Sequence, residues 1–224
     1  MTKLITILVM LITTTSFGQR VCRSTFVSTG SEFNDKLLDA IMAEKLDLVK
    51  MYLDKGADPN AIFQMDGTPI LCYAVPNPEI LKLMLKYKVD VNNEGYGDEP
   101  ALKYAIIYCY HDGAKILLEH GAKKDFLNKG DNPPLFQVIG RSYKPSNCPV
   151  VEPVKFAIEL GANVNYQIGN GDTPLMIAAE VGNIEVAKYL ISKGAKKDLK
   201  NKKGLKAVDI AKKMKFDDLV SILK

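Results

Sequence analysis

Residues 170–198 form the stretch that decides the fold: NGDTPLMIAAEVGNIEVAKYLISKGAKKD. Thr173 suits a helix N-cap, and Pro174 suits the first helical position because the N–H that proline lacks has no partner there. Apolar residues then recur at helical spacing in two runs, separated by Gly182 and Asn183, which favour a turn. Gly194 follows the second run, where a left-handed residue ends a helix. The stretch predicts two short helices, neither of which can bury its apolar face alone.

The same pattern recurs along the chain. Its helix-ending Gly-Ala pair reappears at residues 56, 121 and 161, and Lys88-Val89 fills that position once, so the successive intervals are 32, 33, 40 and 33 residues. Three columns of second-helix positions stay apolar or amphipathic in all five copies. They are Leu53, Leu85, Leu118, Ile158 and Ile191; Val49, Leu81, Ala114, Val154 and Ala187; and Tyr52, Met84, Leu117, Ala157 and Leu190.

These motifs resemble the ankyrin repeat, whose period is about 33 residues. The resemblance predicts an all-α ankyrin-repeat solenoid of about six stacked helix-turn-helix repeats, joined by short β-hairpin fingers. The expected repeats span residues 33–65, 66–97, 98–130, 131–170, 171–203 and 204–224. The last unit carries lysines and aspartates on its outer face, which suits a terminal cap.

Two departures from the pattern stand out. The fourth repeat contains an insertion at residues 141–153 with three prolines, which predicts a rigid loop between its two helices. Lys88 replaces the helix-ending glycine of the second repeat. It must either adopt the left-handed conformation, at a cost of about 1 kcal/mol relative to glycine, or end its helix differently.

The N-terminus has the layout of a secretory signal peptide over residues 1–18. Lys3 precedes an apolar run from Leu4 to Ile12, interrupted only by Thr6, and a polar stretch ends at Gly18. The alternative is an apolar first helix packed on the domain. A membrane span is disfavoured, because crossing a bilayer needs about 20 apolar residues. Residues 19–32 show no helical or strand period and are predicted to be a linker. We therefore expect an exported protein, periplasmic or secreted, with no stable membrane insertion after cleavage.

Export would place the cysteines in an environment that permits disulfides. Four cysteines are too few for a disulfide scaffold and lack the C-x-x-C spacing of a zinc site. Cys109 lies in the turn of the third repeat and Cys148 in the insertion of the fourth, and adjacent repeats bring such turns together. We predict a Cys109–Cys148 disulfide, with two separate thiols as the alternative. Cys72 is expected to be a buried apolar residue, and Cys22 has no assignable partner.

The sequence offers no recognisable catalytic or metal-binding motif. The two histidines, His111 and His120, have no ligand-spaced partners. Aspartates recur beside each finger, where their side chains are expected to bond their own backbone in turns; they are Asp66, Asp98, Asp131 and Asp172. We expect no enzyme activity, no cofactor and no metal. The alternative from another class is an enzyme whose site lies in the 141–153 insertion.

Charge is unevenly distributed along the chain. Residues 190–224 contain eleven lysines and four aspartates, a net charge of +7, which leaves −3 for the remainder of the formal +4. A basic patch can bind nucleic acid or an anionic surface, but these lysines have little aromatic interleaving and an exported protein meets little nucleic acid. A solvated cap is the favoured interpretation, and no nucleic-acid partner is expected.

The resemblance also implies that finger tips and inner helices hold a protein partner. Bulky residues at the tips are the candidate contacts, because aromatic side chains dominate protein interfaces; they are Ile62, Phe63, Tyr96, Phe126, Leu127, Tyr166 and Ile168. The alternative is that some of them fold back onto the neighbouring repeat. The expected function is a monomeric, non-catalytic scaffold or adaptor, or alternatively an immunity-type protein that masks a toxic partner.

Overall fold

The computed structural model describes residues 31–64, 66–140, 148–149 and 151–224. The expected signal peptide, Cys22 and most of the expected linker lie outside the described residues. So does most of the fourth-repeat insertion, of which Cys148, Pro149 and residues 151–153 are described.

Twelve α-helices lie within the described residues, together with a 3-10 helix at Asp125–Asn128. In chain order the α-helices are α1 (Glu32–Met42), α2 (Leu46–Asp54), α3 (Ile70–Ala74), α4 (Pro78–Met84), α5 (Ala101–Ile107), α6 (His111–Glu119), α7 (Pro134–Gly140), α8 (Glu152–Glu159), α9 (Pro174–Glu180), α10 (Ile184–Ser192), α11 (Ala207–Lys213) and α12 (Asp217–Leu223). Each odd-numbered helix packs on the next odd-numbered one, forming an inner layer. The even-numbered helices form the outer layer. The predicted all-α solenoid of six helix pairs is confirmed.

The apolar columns form the core. Val49, Leu81, Ala114, Val154 and Ala187 are all fully buried. Burial of such a continuous column is what holds one repeat on the next, because no repeat has a core of its own.

Helix ends follow the local chemistry of the sequence. Thr173 Oγ1 accepts a hydrogen bond from the Met176 N–H at 3.3 Å, as expected for the N-cap of α9. Gly194 has φ +90° just after α10. Lys88, by contrast, does not adopt a positive φ. Its helix, α4, ends at Met84, four residues earlier, whereas α10 ends only two residues before Gly194. Without a glycine, the helix ends early.

The fingers differ from the predicted β-hairpins. Among the described residues there is no strand, and the only β-bridge joins Ile62 to Pro69. The bridge is not extended, because the Thr68 N–H donates to Asp66 Oδ1 instead of across the finger and Ile70 already begins α3. The fingers are hairpin-like turns instead, and asparagine side chains link them.

These asparagines form one inter-repeat bridge after another. Asn165 Nδ2 donates to the Gly194 carbonyl at 3.0 Å, and its Oδ1 accepts from the Lys196 N–H at 2.8 Å. The same pair of bonds runs from Asn60 to residues 88 and 90, from Asn92 to residues 121 and 123, and from Asn128 to residues 161 and 163. Each finger is thereby fixed against the outer-helix end of the next repeat.

The two ends of the described solenoid differ in polarity. One residue before the buried column, the outer helices of later repeats carry buried side chains, among them Ile80, Pro153 and Val186. The equivalent residue of α2, Leu48, is 42% exposed because no described repeat precedes it. The C-terminal end is polar and rich in lysine. No helix in the described part of the chain combines the length and apolarity needed to cross a bilayer.

Candidate protein-binding surface

A groove lies where α5 and α7 meet the fingers that precede them. We call it the inner groove, and it has a volume of about 370 Å³. Its walls are Glu99, Tyr104, Ile107, Tyr108, Asn132, Phe136, Gln137 and Gly140. Three aromatic rings therefore stand beside one carboxylate and two amides.

The aromatic wall is a packed cluster. The ring centroids of Tyr104 and Tyr108 are 4.4 Å apart, and Tyr110 lies 6.2 Å from Tyr104. Tyr104 and Tyr108 are four residues apart on one helix, so they share a face. Burial is the main cause that raises the pKa of Tyr104, which keeps its phenol protonated. The Tyr104 part of the wall is therefore uncharged.

The polar end of the groove is built around Glu99. Its side chain is 43% exposed, and its Oε1 lies 3.7 Å from Lys103 Nζ. Lys103 is buried, and its ammonium also donates to the Asp98 carbonyl at 3.2 Å. The lysine therefore lies beneath the surface, while the Glu99 carboxylate forms part of it.

Among the predicted contact residues, Tyr96 is the one that is largely exposed to solvent, with 74% of its surface accessible. Its N–H donates to the Gly67 carbonyl at 3.0 Å. Gly95 and Gly67 both have positive φ, and a Cβ on Gly95 would collide with that carbonyl. Because glycine lets the two finger tips touch backbone to backbone, Tyr96 projects from a fixed base.

Phe63 and Leu127 are not displayed, so their prediction as contact residues is wrong. Phe63 is 4% exposed and packs on Tyr73, with ring centroids 5.0 Å apart. Leu127 is 3% exposed and belongs to the core. Both side chains turn inward because a short finger leaves an apolar residue close enough to cover the inner layer.

The other four predicted contacts are half-buried. Phe126 packs against the core, and Ile62 forms the bridge to Pro69. Tyr166 donates its hydroxyl to the Gly130 carbonyl at 3.1 Å, and its ring meets Phe136 edge-on at 6.3 Å. Ile168 donates its N–H to the Asp172 carbonyl within its own finger. A contact role for these residues stays a prediction.

The sequence analysis missed the inner-helix aromatics Tyr104, Tyr108 and Phe136. Two of them could have been found, because Tyr104 and Tyr108 have the four-residue spacing of one helix face. Phe136 had no such signal, since it is 6% exposed and borders the groove only at one edge.

Cys109 and Cys148 are joined as a disulfide, as the sequence analysis predicted from the register of the two turns. Their Cα atoms are 6.3 Å apart, within the usual range for a disulfide. Cys109 has φ +62° at the turn position that Gly182 occupies in the fifth repeat with φ +72°. Cys72 is a buried free thiol, and burial raises its pKa, so it stays protonated and unreactive.

Side chains suited to metal binding do not gather within the described residues. No three histidine, cysteine or carboxylate side chains in that part of the chain lie close enough to hold a metal ion. His120 Nδ1 lies 2.8 Å from the Ile116 carbonyl, and the His111 ring packs on Phe156. Asp66 accepts from the Thr68 N–H within its own turn, as expected, whereas Asp172 accepts from Asn201 of the next finger.

Comparison with known families gives a match over most of the chain. The sequence model for ankyrin repeats in three copies matches residues 37–128 and 146–224. A chain in the solved complex of a predatory endopeptidase from Bdellovibrio bacteriovorus with an immunity protein is 27% identical, with a TM-score of 0.66. That match covers 84% of this chain and 96% of the other.

Curated relatives match through part of their length. A putative ankyrin repeat protein of fowlpox virus is 33% identical over 66% of this chain, and that match covers 25% of the viral protein. The human transient receptor potential cation channel subfamily A member 1 is 29% identical over 74% of this chain, covering 15% of the channel. The chain thus spans a quarter or less of these two relatives.

Proposed function

The chain belongs to the ankyrin-repeat family, whose repeats are protein-interaction modules, and we propose that it is an exported protein that binds a protein partner through its inner groove without catalysing a reaction. The observation that carries this proposal is the composition of the groove. Tyr104, Tyr108 and Phe136 stand there beside Glu99, Asn132 and Gln137. Buried aromatics bordered by polar groups supply most of the binding energy in protein interfaces.

The rigidity of the surface supports the same proposal. Asparagine bridges fix each finger on the next repeat, and paired glycines hold the base of Tyr96. A preformed surface binds with less loss of conformational entropy than one that must be ordered on binding. Tyr96 and the groove would contact one partner together, because Glu99 follows Tyr96 by only three residues.

Export is supported by two independent features of the chain. The first 18 residues have the charge and hydropathy pattern of a signal peptide. Cys109 and Cys148 pair in the structure, and such pairs persist in oxidising compartments such as the periplasm or the extracellular space.

An immunity role is the second candidate, and the match to a chain of the endopeptidase–immunity protein complex favours it. That match covers nearly the whole of the other chain, at 96%. In this role the inner groove would mask the site of a toxic enzyme, so binding would be stoichiometric and inhibitory.

A single substitution that introduces a bulky cationic side chain tests whether the groove binds the partner. Asn132→Arg places a long charged side chain at the rim, where the residue is exposed and its replacement leaves the core intact. Ser192→Arg on α10 is the matched control in the outer layer. The full chain, exported with its own N-terminal segment and captured from envelope extract, should lose its stoichiometric partner in the Asn132 variant and keep it in the control.

The outcomes separate the candidates. Equal recovery of the same partner by both variants would place the interface elsewhere and contradict the proposal. If the captured partner is an enzyme that the wild-type chain inhibits and the Asn132 variant does not, the immunity role is supported over an adaptor role. Recovery of the chain with residues 1–18 intact from the cytoplasm would contradict export.

A further inference from the structure

We infer that the inner groove accepts an arginine side chain of the partner, and this inference rests on the proposed function. The guanidinium would stack on the Tyr104–Tyr108 wall and pair with the Glu99 carboxylate. Both halves of that site lie on the same groove.

The aromatic half suits a cation. A guanidinium over the face of a tyrosine or phenylalanine ring is attracted by the ring quadrupole, and the attraction grows when water is excluded. Tyr104 and Tyr108 are half-buried, their ring centroids are 4.4 Å apart, and both residues line the groove. Phe136 also lines the groove.

The carboxylate half supplies the complementary charge. Apart from the tyrosines, Glu99 is the one ionisable residue among the described residues that line the groove. Lys103 compensates part of that charge from below, but it is 6% exposed and does not itself line the groove. An approaching arginine would meet the carboxylate before it met the lysine.

The surrounding surface has the same sign. Residues 61–75, 93–107 and 126–140 each comprise a finger tip and the inner helix that follows it. They contain five acidic residues and two lysines, a net charge of −3; the acidic residues are Asp66, Glu94, Asp98, Glu99 and Asp131. A partner segment with positive charge is therefore attracted to this region and repelled by residues 190–224, which carry +7.

Arginine fits this arrangement better than lysine does. Its planar guanidinium can stack on a ring and still donate to a carboxylate in its own plane, and it is more weakly hydrated. A lysine ammonium is a compact, strongly hydrated group that gives up more on leaving water.

The test uses two blocked tripeptides as probes, acetyl-Ala-Arg-Ala-amide and the same peptide with citrulline, which has the same shape without the charge. Binding to the full chain is followed by NMR through the ring resonances of Tyr104 and Tyr108. The arginine peptide should shift these resonances saturably, and the citrulline peptide should bind about tenfold more weakly, as expected for loss of a charge-assisted hydrogen bond.

Glu99→Gln and its control Glu119→Gln on α6 complete the experiment. Glu99→Gln should lower the affinity for the arginine peptide to that for the citrulline peptide. Glu119→Gln should leave the tenfold preference for the arginine peptide unchanged. Equal affinity for the two peptides, or shifts of tyrosines outside the groove alone, would overturn the inference. If partner capture is lost with Asn132→Arg but the arginine peptide does not bind, the proposed function stands and the arginine site falls.

Discussion

One position in the turn between the two helices of a repeat has a left-handed backbone conformation in several repeats. Glu44, Cys109, Gly182 and Lys215 occupy it, with φ between +53° and +72°. Of these four residues only Gly182, in the fifth repeat, is a glycine, and there a Cβ would meet the Phe216 ring at 2.7 Å. The requirement at Gly182 therefore combines backbone strain with close packing between the fifth and sixth repeats.

Gly182→Ala separates these two costs when it is compared with Gly194→Ala. Gly194 also has a positive φ, but nothing lies within 4 Å of an added Cβ. We expect Gly194→Ala to lower the free energy of unfolding by about 1 kcal/mol and Gly182→Ala by about 2–3 kcal/mol. Urea unfolding measures both. An equal loss for the two variants would show that the Phe216 contact carries no energy.

The asparagine bridges make a second residue-scale prediction. Asn165→Ala removes two hydrogen bonds that join the fourth finger to the next repeat. We expect a loss of about 1–2 kcal/mol, because each net hydrogen bond contributes about 0.5–1.5 kcal/mol. Asn163→Ala is the control, since its side chain accepts one bond within the same finger. A larger loss for Asn163→Ala in chemical unfolding would contradict the inter-repeat role.

These bridges show where sequence reasoning stops at the level of single residues. Asn60, Asn92 and Asn165 each lie four residues after a helix-ending position, so their repetition was visible in the sequence. Asn128 lies seven residues after Gly121, because a 3-10 helix at Asp125–Asn128 shifts the register. Only the folded chain shows that Asn128 makes the same pair of bonds.

At the scale of elements, a disulfide links the third and fourth repeats. Its outer helix, α8, contacts the inner helices α5 and α7. Cys109, at the turn before α6, is bonded to Cys148, just before α8. The covalent link therefore holds the end of the insertion against the third repeat.

Cys148→Ser should destabilise the oxidised protein. The bond closes a loop over a sequence separation of 39 residues, for which we expect a contribution of about 2–4 kcal/mol. Unfolding by urea with and without reductant measures the effect. The wild type should fall to the level of the variant when reduced, and reductant should leave a Cys22→Ser, Cys148→Ser double variant unchanged, since Cys72 is buried and unpaired. A wild type insensitive to reductant would contradict the stabilising role.

The helix pairs and their columns were predictable because periodicity records burial directly. The fingers were less so. The sequence of a turn does not show which side chain faces the inner layer. The burial of Phe63 and Leu127 was therefore not predicted. Lys88 shows a similar limit, since the sequence left two outcomes open and the early end of α4 decides between them.

At the scale of the whole molecule, charge and shape divide the surface into regions. The inner groove and its fingers are acidic and aromatic, whereas the C-terminal end carries a net +7 over residues 190–224. None of its eleven lysines forms an ion pair, although this segment is described in full. A partner would therefore approach the groove in one orientation, with its basic segment away from the last repeat.

The central claim is that the partner occupies the inner groove. Hydrogen exchange of the backbone amides, compared between the free chain and the stoichiometric partner complex, tests it most directly. We predict slower exchange in α5, α7 and the finger that carries Tyr96, with α6 and α10 unchanged. Slower exchange confined to the outer helices or to residues 190–224, with the groove unaffected, would contradict the claim.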